Sequence, residues 1–450
     1  MRLPATLRAL RYRNFQLFFG GQFISLIGTW MQNVAQAWLV YRITGSSVLL
    51  GAIGFSSQIP VFLLSPAGGI VADRFPRQRV VIATQTASML LAFALASLTL
   101  LHTVRIWHVF VLSALLGAVN AFDIPARQSF IVEMVGKTDL MNAIALNSSM
   151  FNASRVLGPA IAGILVASIG EGWCFFANGA SYIAVIIGLF LMRVERIEQP
   201  PPQDSLVQHV IEGFRFVLDS PAVHALLIML GVVSLTGMPY TVLMPIFADR
   251  ILHGGAAGLG WLMGAAGVGA LIGALLLASR ETLKGLSRWV ALAASGFGVG
   301  LIGFSFSRSL HLSEVLLIPI GFAMMIQMGS SNTLIQSMVP DRLRGRVMSV
   351  YSMMFMGMAP IGSLLAGWAA DRFGPQWTVA GGGAICLAAA GVFWAWLPQI
   401  RTHARRMIVA QQIEAGNPPQ EATGGSLEMP SDGGNSTQGR GDAEIGATRQ

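Results

Sequence analysis

Charge is scarce in this chain. Only 11% of its 450 residues are Asp, Glu, Lys or Arg, while 54% are hydrophobic. Soluble globular chains carry about 25% charged residues, so a chain of this length, which would divide into several solvated domains, lacks the charge to coat them. Cysteine is nearly absent as well. Cys174 and Cys386 each sit in an apolar run, which argues against a disulfide framework or a thiolate metal site. The histidines are scattered over loops and a linker, and no His, Glu and Cys cluster has metal-ligand spacing. The chain therefore reads as needing no metal and no cofactor, and it is not expected to be an enzyme.

Two short motifs that suggest nucleotides fail on inspection. Gly136-Lys137-Thr138 has Ile131 where a phosphate-binding loop needs glycine, and no strand precedes it. Gly298 to Gly303 has dinucleotide-loop spacing but lies inside an apolar run, where small residues let helices pack closely. Without a nucleotide engine, any pumping must draw on an ion or solute gradient. Residues 1–13 are basic, and the apolar stretch that follows is too long for a cleaved leader and lacks a small-residue cleavage site.

What the chain has in abundance is long apolar runs. Runs such as Val81–Leu101 and Ala380–Leu397 lack the alternation of a transmembrane β-barrel. They match the roughly 20 residues a helix needs to cross a bilayer. Twelve such segments can be counted. They are Phe15–Tyr41, Val48–Ala72, Val80–Leu101, Ile106–Pro125, Leu140–Ile169 and Trp173–Met192, then Ala222–Ala248, Leu259–Ser279, Trp289–Ser307, Leu312–Gln336, Val347–Ala370 and Trp377–Leu397. The predicted fold class is an all-α membrane protein with twelve transmembrane helices in two six-helix halves.

Basic residues set the orientation. With both termini placed in the cytoplasm, 23 of the 29 Lys and Arg residues fall in inner segments and five in outer ones, with Arg155 inside a span. This is the positive-inside pattern. It also accounts for the net charge of +8, because the basic residues face an anionic leaflet and not nucleic acid.

Residues 194–221 interrupt the apolar pattern. Pro200, Pro201 and Pro202 stop any helix, and Ser205–Leu218 reads as a short amphipathic helix. The expected organisation is an N-terminal half over 1–193, a cytoplasmic linker over 194–221, a C-terminal half over 222–400 and a disordered cytoplasmic tail over 401–450. The halves look related: at a fixed offset of 204, Gly158 meets Gly362, Ala162-Gly163 meets Ala366-Gly367, Met150-Phe151 meets Met354-Phe355, and Met134-Val135 meets Met338-Val339. Duplicated halves around a central site are a recurrent transporter design.

Polar residues inside the spans mark a candidate path. Span one carries Gln32, Asn33 and Gln36. Span five carries Ser148, Asn152, Arg155 and Pro159 at spacings of 4, 3 and 4, which share one helical face. Gln327 and Asn332 on span ten extend the set. An intramembrane charge such as Arg155 faces a cavity or a partner. Asp123 and Glu133 read as lying near the inner face, with Asp123 able to pair with Arg127 at spacing 4.

Two motifs carry a family resemblance. Gly69-Ile70-Val71-Ala72-Asp73-Arg74-Phe75-Pro76-Arg77-Gln78-Arg79 resembles the loop 2–3 signature of the major facilitator superfamily, departing at Gln78, where a basic residue is usual. The resemblance implies a gating latch of Gly69, Asp73, Arg74, Arg77 and Asp123. In it Asp73 sits at the start of span eleven near Gly345–Val347, and Arg77 pairs with Asp123. Arg155 to Gly163, with Gly158 and Pro159, resembles the antiporter signature on span five, with Ala162 in place of a glycine. Stretches such as Arg13-Asn14-Phe15, Pro125-Ala126-Arg127-Gln128 and Glu212-Gly213-Phe214-Arg215 resemble the transmembrane secretion effectors, to which the enterobactin exporter and macrolide efflux proteins are similar.

The resemblance implies a major facilitator fold in a bacterial inner membrane. It also implies proton-coupled export of a small amphipathic molecule such as a drug or siderophore, with protons as the coupling ion and lipids as surroundings. An oligomer is not required. Importer, lipid flippase and non-transporting scaffold or sensor are the alternatives on the same scaffold.

Overall fold

The computed structural model describes residues 5–136, 138–193, 206–280, 282–283 and 285–414. The described residues form helices and connecting turns. In chain order the helices are α1 (Arg13–Thr44), α2 (Ser47–Arg74), α3 (Arg77–Leu100), α4 (Ile106–Val135), α5 (Leu140–Ile169), α6 (Glu171–Leu191), α7 (Leu206–Asp219), α8 (Pro221–Ile251), α9 (Gly255–Ala278), α10 (Leu286–Ser305), α11 (Leu310–Met338), α12 (Asp341–Phe373) and α13 (Pro375–Glu414). A short 3-10 turn, Ala5–Arg11, precedes them.

Eleven of these helices are long and apolar enough to cross a membrane. The chain is a multi-pass membrane protein. α1 is not among the eleven, although its 32 residues are ample in length. Gln22, Gln32, Asn33 and Gln36 dilute its apolarity, and it is packed against α5 and α6 within the bundle. The outward surface is apolar: Leu63, Phe190 and Trp377 are more than half exposed. Water would penalise such a surface, whereas hydrocarbon does not.

Helices α1–α6 pack on one another, as do α8–α13, and the two groups meet along two seams, α2 against α12 and α5 against α9. Alternate helices run in opposite directions, so one end of the bundle gathers the α2–α3 connection with Arg74 and Arg77, the end of α4 and the start of α12. This is termed the basic face, and the opposite end the far face.

Three features differ from the sequence reading. α4 continues ten residues beyond Pro125 to Val135, because proline removes one intrahelical hydrogen bond without ending a long helix held by neighbours. α8 is not uniform: π-type turns at Val233–Gly237 and Phe247–Ile251 flank a short α segment, and Pro239 and Pro245 withhold backbone donors. The last helix continues through residues 401–414, where the tail was expected to begin. Residues 415–450 and the proline-rich part of the linker, 194–205, lie outside the described residues. The remainder of the linker is α7, whose Val217 is buried and whose Gly213 abuts the Arg346 carbonyl of α12.

Candidate functional site

The seams are built by glycines. A Cβ on Gly163 would lie 2.9 Å from the Gly260 Cα, and one on Gly51 would lie 2.4 Å from the Ser363 carbonyl and 3.1 Å from the Gly367 Cα. Such approaches exclude any side chain. All of these glycines lie toward the far face. At mid-helix the contacts continue, with Gly267 against the Arg155 carbonyl and Gly357 against the Phe62 ring. Toward the basic face they stop: Gly69 on α2 and Gly345 on α12 have nothing within 4 Å of a built Cβ. The two groups of helices are therefore tightly closed at the far face, and no glycine-mediated approach of that kind is found at Gly69 or Gly345.

A polar lock reinforces the far closure. The Tyr41 hydroxyl of α1 donates to the Asp249 carboxylate of α8 at 2.7 Å. The Arg250 guanidinium lies 5.6 Å from the Tyr41 ring centroid and donates to the Gly45 carbonyl at 3.2 Å. Sequence reading missed this lock. Its partners are 205 and 208 residues apart, and each looks like an ordinary helix-end residue.

At the basic face, Arg77 begins α3 and is buried, while the Asp73 side chain is 46% exposed and lies 3.9 Å from Arg77. The expected Arg77–Asp123 pair is corrected. Arg77 donates instead to Glu133 at 2.9 Å. Helical rise explains why: Asp123 is twelve residues short of the end of α4, about 18 Å deeper at ~1.5 Å per residue. Asp123 is buried and accepts from Thr84 at 2.8 Å and Gln85 at 2.9 Å on α3, with Arg127 at 3.1 Å. A carboxylate thus lies well inside the bundle, against the expectation that both acids sit near the inner face. Gln78, where the motif departs from its usual basic residue, donates to the Leu189 carbonyl at the end of α6 at 2.6 Å.

Among the described residues the ion pair of Asp73 is with Arg77, and none joins it to the start of α12, where the motif places it. Arg346 there is paired with Glu212 of α7, so the linker helix holds that end. Arg74 is exposed.

On α5, Gly158 lies against α1: a Cβ there would come within 2.4 Å of the Trp30 Cβ. Its counterpart at offset 204, Gly362, makes the same kind of approach to Leu235 and Pro239 of α8. Gly163 and its counterpart Gly367 each occupy a seam. The repeated glycines thus serve equivalent positions in the two groups of helices.

The expected cavity residues divide. Gln32 accepts from Asn178 of α6 at 2.6 Å, and Gln36 donates to Ser113 of α4 at 3.0 Å. These two are tied between helices, Gln32 buried and Gln36 half-buried. Asn152 is buried and donates to the Ser148 carbonyl one turn back at 2.9 Å, while Asn33 and Ser148 are exposed. Asn332 is bonded to Gln336 of its own helix. Arg155, at the midpoint of α5, lies 5.7 Å from the Trp30 ring centroid and 3.9 Å from the Met324 sulfur of α11. Gln327, one turn further on α11, is buried with neither side-chain amide atom bonded. Among the described residues no group of His, Cys, Asp and Glu is placed to hold a metal ion.

Comparison with known proteins gives this geometry its lineage. The family profile described as transmembrane secretion effector matches residues 5–416. The chain is 28% identical to the staphyloferrin A transporter of Staphylococcus aureus over 362 residues, covering 79% of this chain and 89% of that protein. It is 27% identical to the multidrug efflux pump Tap of Mycolicibacterium fortuitum, covering 77% and 87%. It is 25% identical to the enterobactin exporter EntS of Shigella boydii, covering 78% and 84%. Among solved structures, the nucleoside transporter NupG superposes with a TM-score of 0.69 at 12% identity over 86% of this chain and 98% of its own. A bacterial homologue of the lysosomal transporter Spinster, in an inward-facing conformation, gives 0.63 at 16% identity over 88% and 97%. The chain belongs to the transmembrane secretion effector family of the major facilitator superfamily.

Proposed function

We propose that this protein is a secondary active exporter of a small amphipathic molecule, a drug, siderophore or comparable metabolite, working by alternating access in a bacterial inner membrane. On this reading α1 is the twelfth span, α1–α6 and α8–α13 are the rocking halves, and the basic face with both termini is cytoplasmic. The positive-inside distribution of Lys and Arg supports the orientation. The one observation that carries the reading is the one-sided closure: glycine seams and the Tyr41–Asp249 lock close the far face, while Gly69 and Gly345 at the basic face border open space. A molecule entering from the cytoplasm would meet a closed outer end. Export follows when the basic end closes and the far end parts. The relatives named as exporters of siderophores and drugs support the direction.

Proton antiport supplies the drive. It needs a carboxylate inside the membrane that can alternate between charged and neutral forms. Asp123 is the candidate, a buried carboxylate held by Thr84 and Gln85 of α3 and paired with Arg127. Asp73, half exposed beside Arg77, is placed to reach the positive end of α12 when the basic face closes.

Everted vesicles loaded with this protein test the reading with a panel of fluorescent efflux probes. Uptake that collapses on addition of a protonophore, and that is lost in Asp123→Asn, is expected. Uptake indifferent to both would refute proton coupling, and no uptake of any probe would refute export.

A further inference from the structure

Arg155 is a charge at the centre of the bundle, and among the described residues it has no counter-charge. α5 runs from Leu140 to Ile169, so Arg155 is its midpoint. There it sits between the two groups of helices, its backbone packed on Gly267 of α9. Its guanidinium meets the Trp30 ring and the Met324 sulfur, and no carboxylate among the described residues pairs with it. The Tyr240 hydroxyl of α8 lies within electrostatic range.

An unpaired guanidinium in a membrane interior is costly, and proteins retain such groups where something else supplies the negative charge. The neighbours are poor substitutes. A thioether is a weak acceptor, and an indole face offers only a cation–π contact.

A second, independent observation points the same way. Tyr240 and Gln327 are 2% and 1% exposed, and the Tyr240 hydroxyl and both Gln327 amide atoms have no hydrogen-bond partner within the protein. Ser331, one turn beyond Gln327, is likewise unbonded. Buried polar groups of this kind are nearly always satisfied. Gln327 and Ser331 follow Met324 at spacings of 3 and 4, so they share the face of α11 that meets Arg155. Tyr240 follows directly on Pro239, where α8 leaves regular α geometry. Such interruptions recur at functional sites. Two helices of the second group, α8 and α11, thus carry unsatisfied polar groups close to the guanidinium that α5 of the first group supplies.

The geometry points to Arg155 as the anchor for an anionic group of the transported molecule. A carboxylate or similarly delocalised oxyanion would be gripped by the guanidinium, with the Tyr240 hydroxyl and the Gln327 amide donating to the same group. Trp30 and Met324 supply an apolar wall for the rest of the molecule. Guanidinium matches such oxyanions through paired N–H donors. This inference rests on the exporter reading and narrows its substrates to amphipathic acids.

Three matched probes test it with the purified full-length protein in detergent: 2-naphthoate, the neutral 2-naphthamide and the cationic 2-naphthylmethylammonium. Binding is read from the rise in thermal unfolding midpoint during titration. Naphthoate is expected to bind wild type roughly tenfold or more tightly than naphthamide, the loss associated with one charge-assisted hydrogen bond. Arg155→Gln is expected to abolish that preference, and Arg155→Lys to retain part of it. Equal or absent shifts for naphthoate and naphthamide in wild type would overturn the proposal, as would a naphthoate preference that survives Arg155→Gln. The two readings fail separately. Naphthoate bound through Arg155 but never moved in proteoliposomes would defeat export alone, whereas transport of probes without regard to charge would defeat only the anion site.

Discussion

Two arginines show how position decides what a charge does. Arg77 is buried against a nearly buried Glu133 at 2.9 Å. Removing one member of such a pair leaves the other buried without a counter-charge, which costs about 3–5 kcal/mol. Arg77→Ala is therefore expected to lower the unfolding midpoint of the detergent-solubilised protein sharply. Arg77→Ala with Glu133→Ala is expected to recover part of the loss, so that a double-mutant cycle returns a coupling energy above zero. Additive losses would mean the pair contributes nothing. Asp73 is different. Its carboxylate is largely solvated, so Asp73→Asn is expected to change stability by less than about 0.5 kcal/mol while slowing probe efflux, because its proposed partner is the end of α12 in the closed-basic state. An Asp73→Asn protein that transports at the wild-type rate would remove Asp73 from the latch.

Helices expose what a sequence can and cannot announce. The apolar runs foretell the spans because a bilayer imposes length and hydrophobicity together. The glycines of α5 foretell close approach because only glycine allows it. Register is less legible. Arg77 meets Glu133 and not Asp123 because α4 runs on past Pro125, and nothing local to Pro125 distinguishes a kink from an end. Gln32 and Gln36 stand on a polar stripe, yet their partners Asn178 and Ser113 lie on helices whose facing positions follow only from packing. The glycine seam makes a prediction at this scale. Gly163→Val would place methyl groups where the Gly260 Cα lies within 3 Å of even a Cβ. The seam must then part, at a strain cost of about 1–3 kcal/mol. Cysteine-accessibility labelling of far-face positions on α5 and α9 should rise in Gly163→Val and stay low in Gly69→Ala, where a Cβ meets open space. Equal accessibility in the two variants would argue against the seam as the far closure.

On the proposed alternating-access reading the protein holds two global arrangements within a few kcal/mol of each other, and the contacts made in only one of them set the balance. The candidates on that reading are the far-face contacts, the glycine seams and the Tyr41–Asp249 and Arg250–Gly45 bonds. At the basic face Glu212 of α7 occupies Arg346, which restrains the end of α12 that Asp73 would otherwise approach. Far closure and linker engagement therefore favour the same arrangement, and weakening the far lock should let the other appear. Tyr41→Phe removes a hydrogen bond to a charged group, worth about 1.5–3 kcal/mol, enough to move a two-state ratio roughly tenfold. Cys174 and Cys386 are both buried, so spin labels can be directed to cysteines introduced at the exposed far-face positions Thr103 and Arg308. Pulsed electron resonance on this pair should show one dominant short distance in the parent protein. In Tyr41→Phe a longer component should grow, and it should grow further when Asp249→Asn is added. An unchanged distribution would show that the lock is not what separates the two arrangements, and would leave the glycine seams to hold the far face alone.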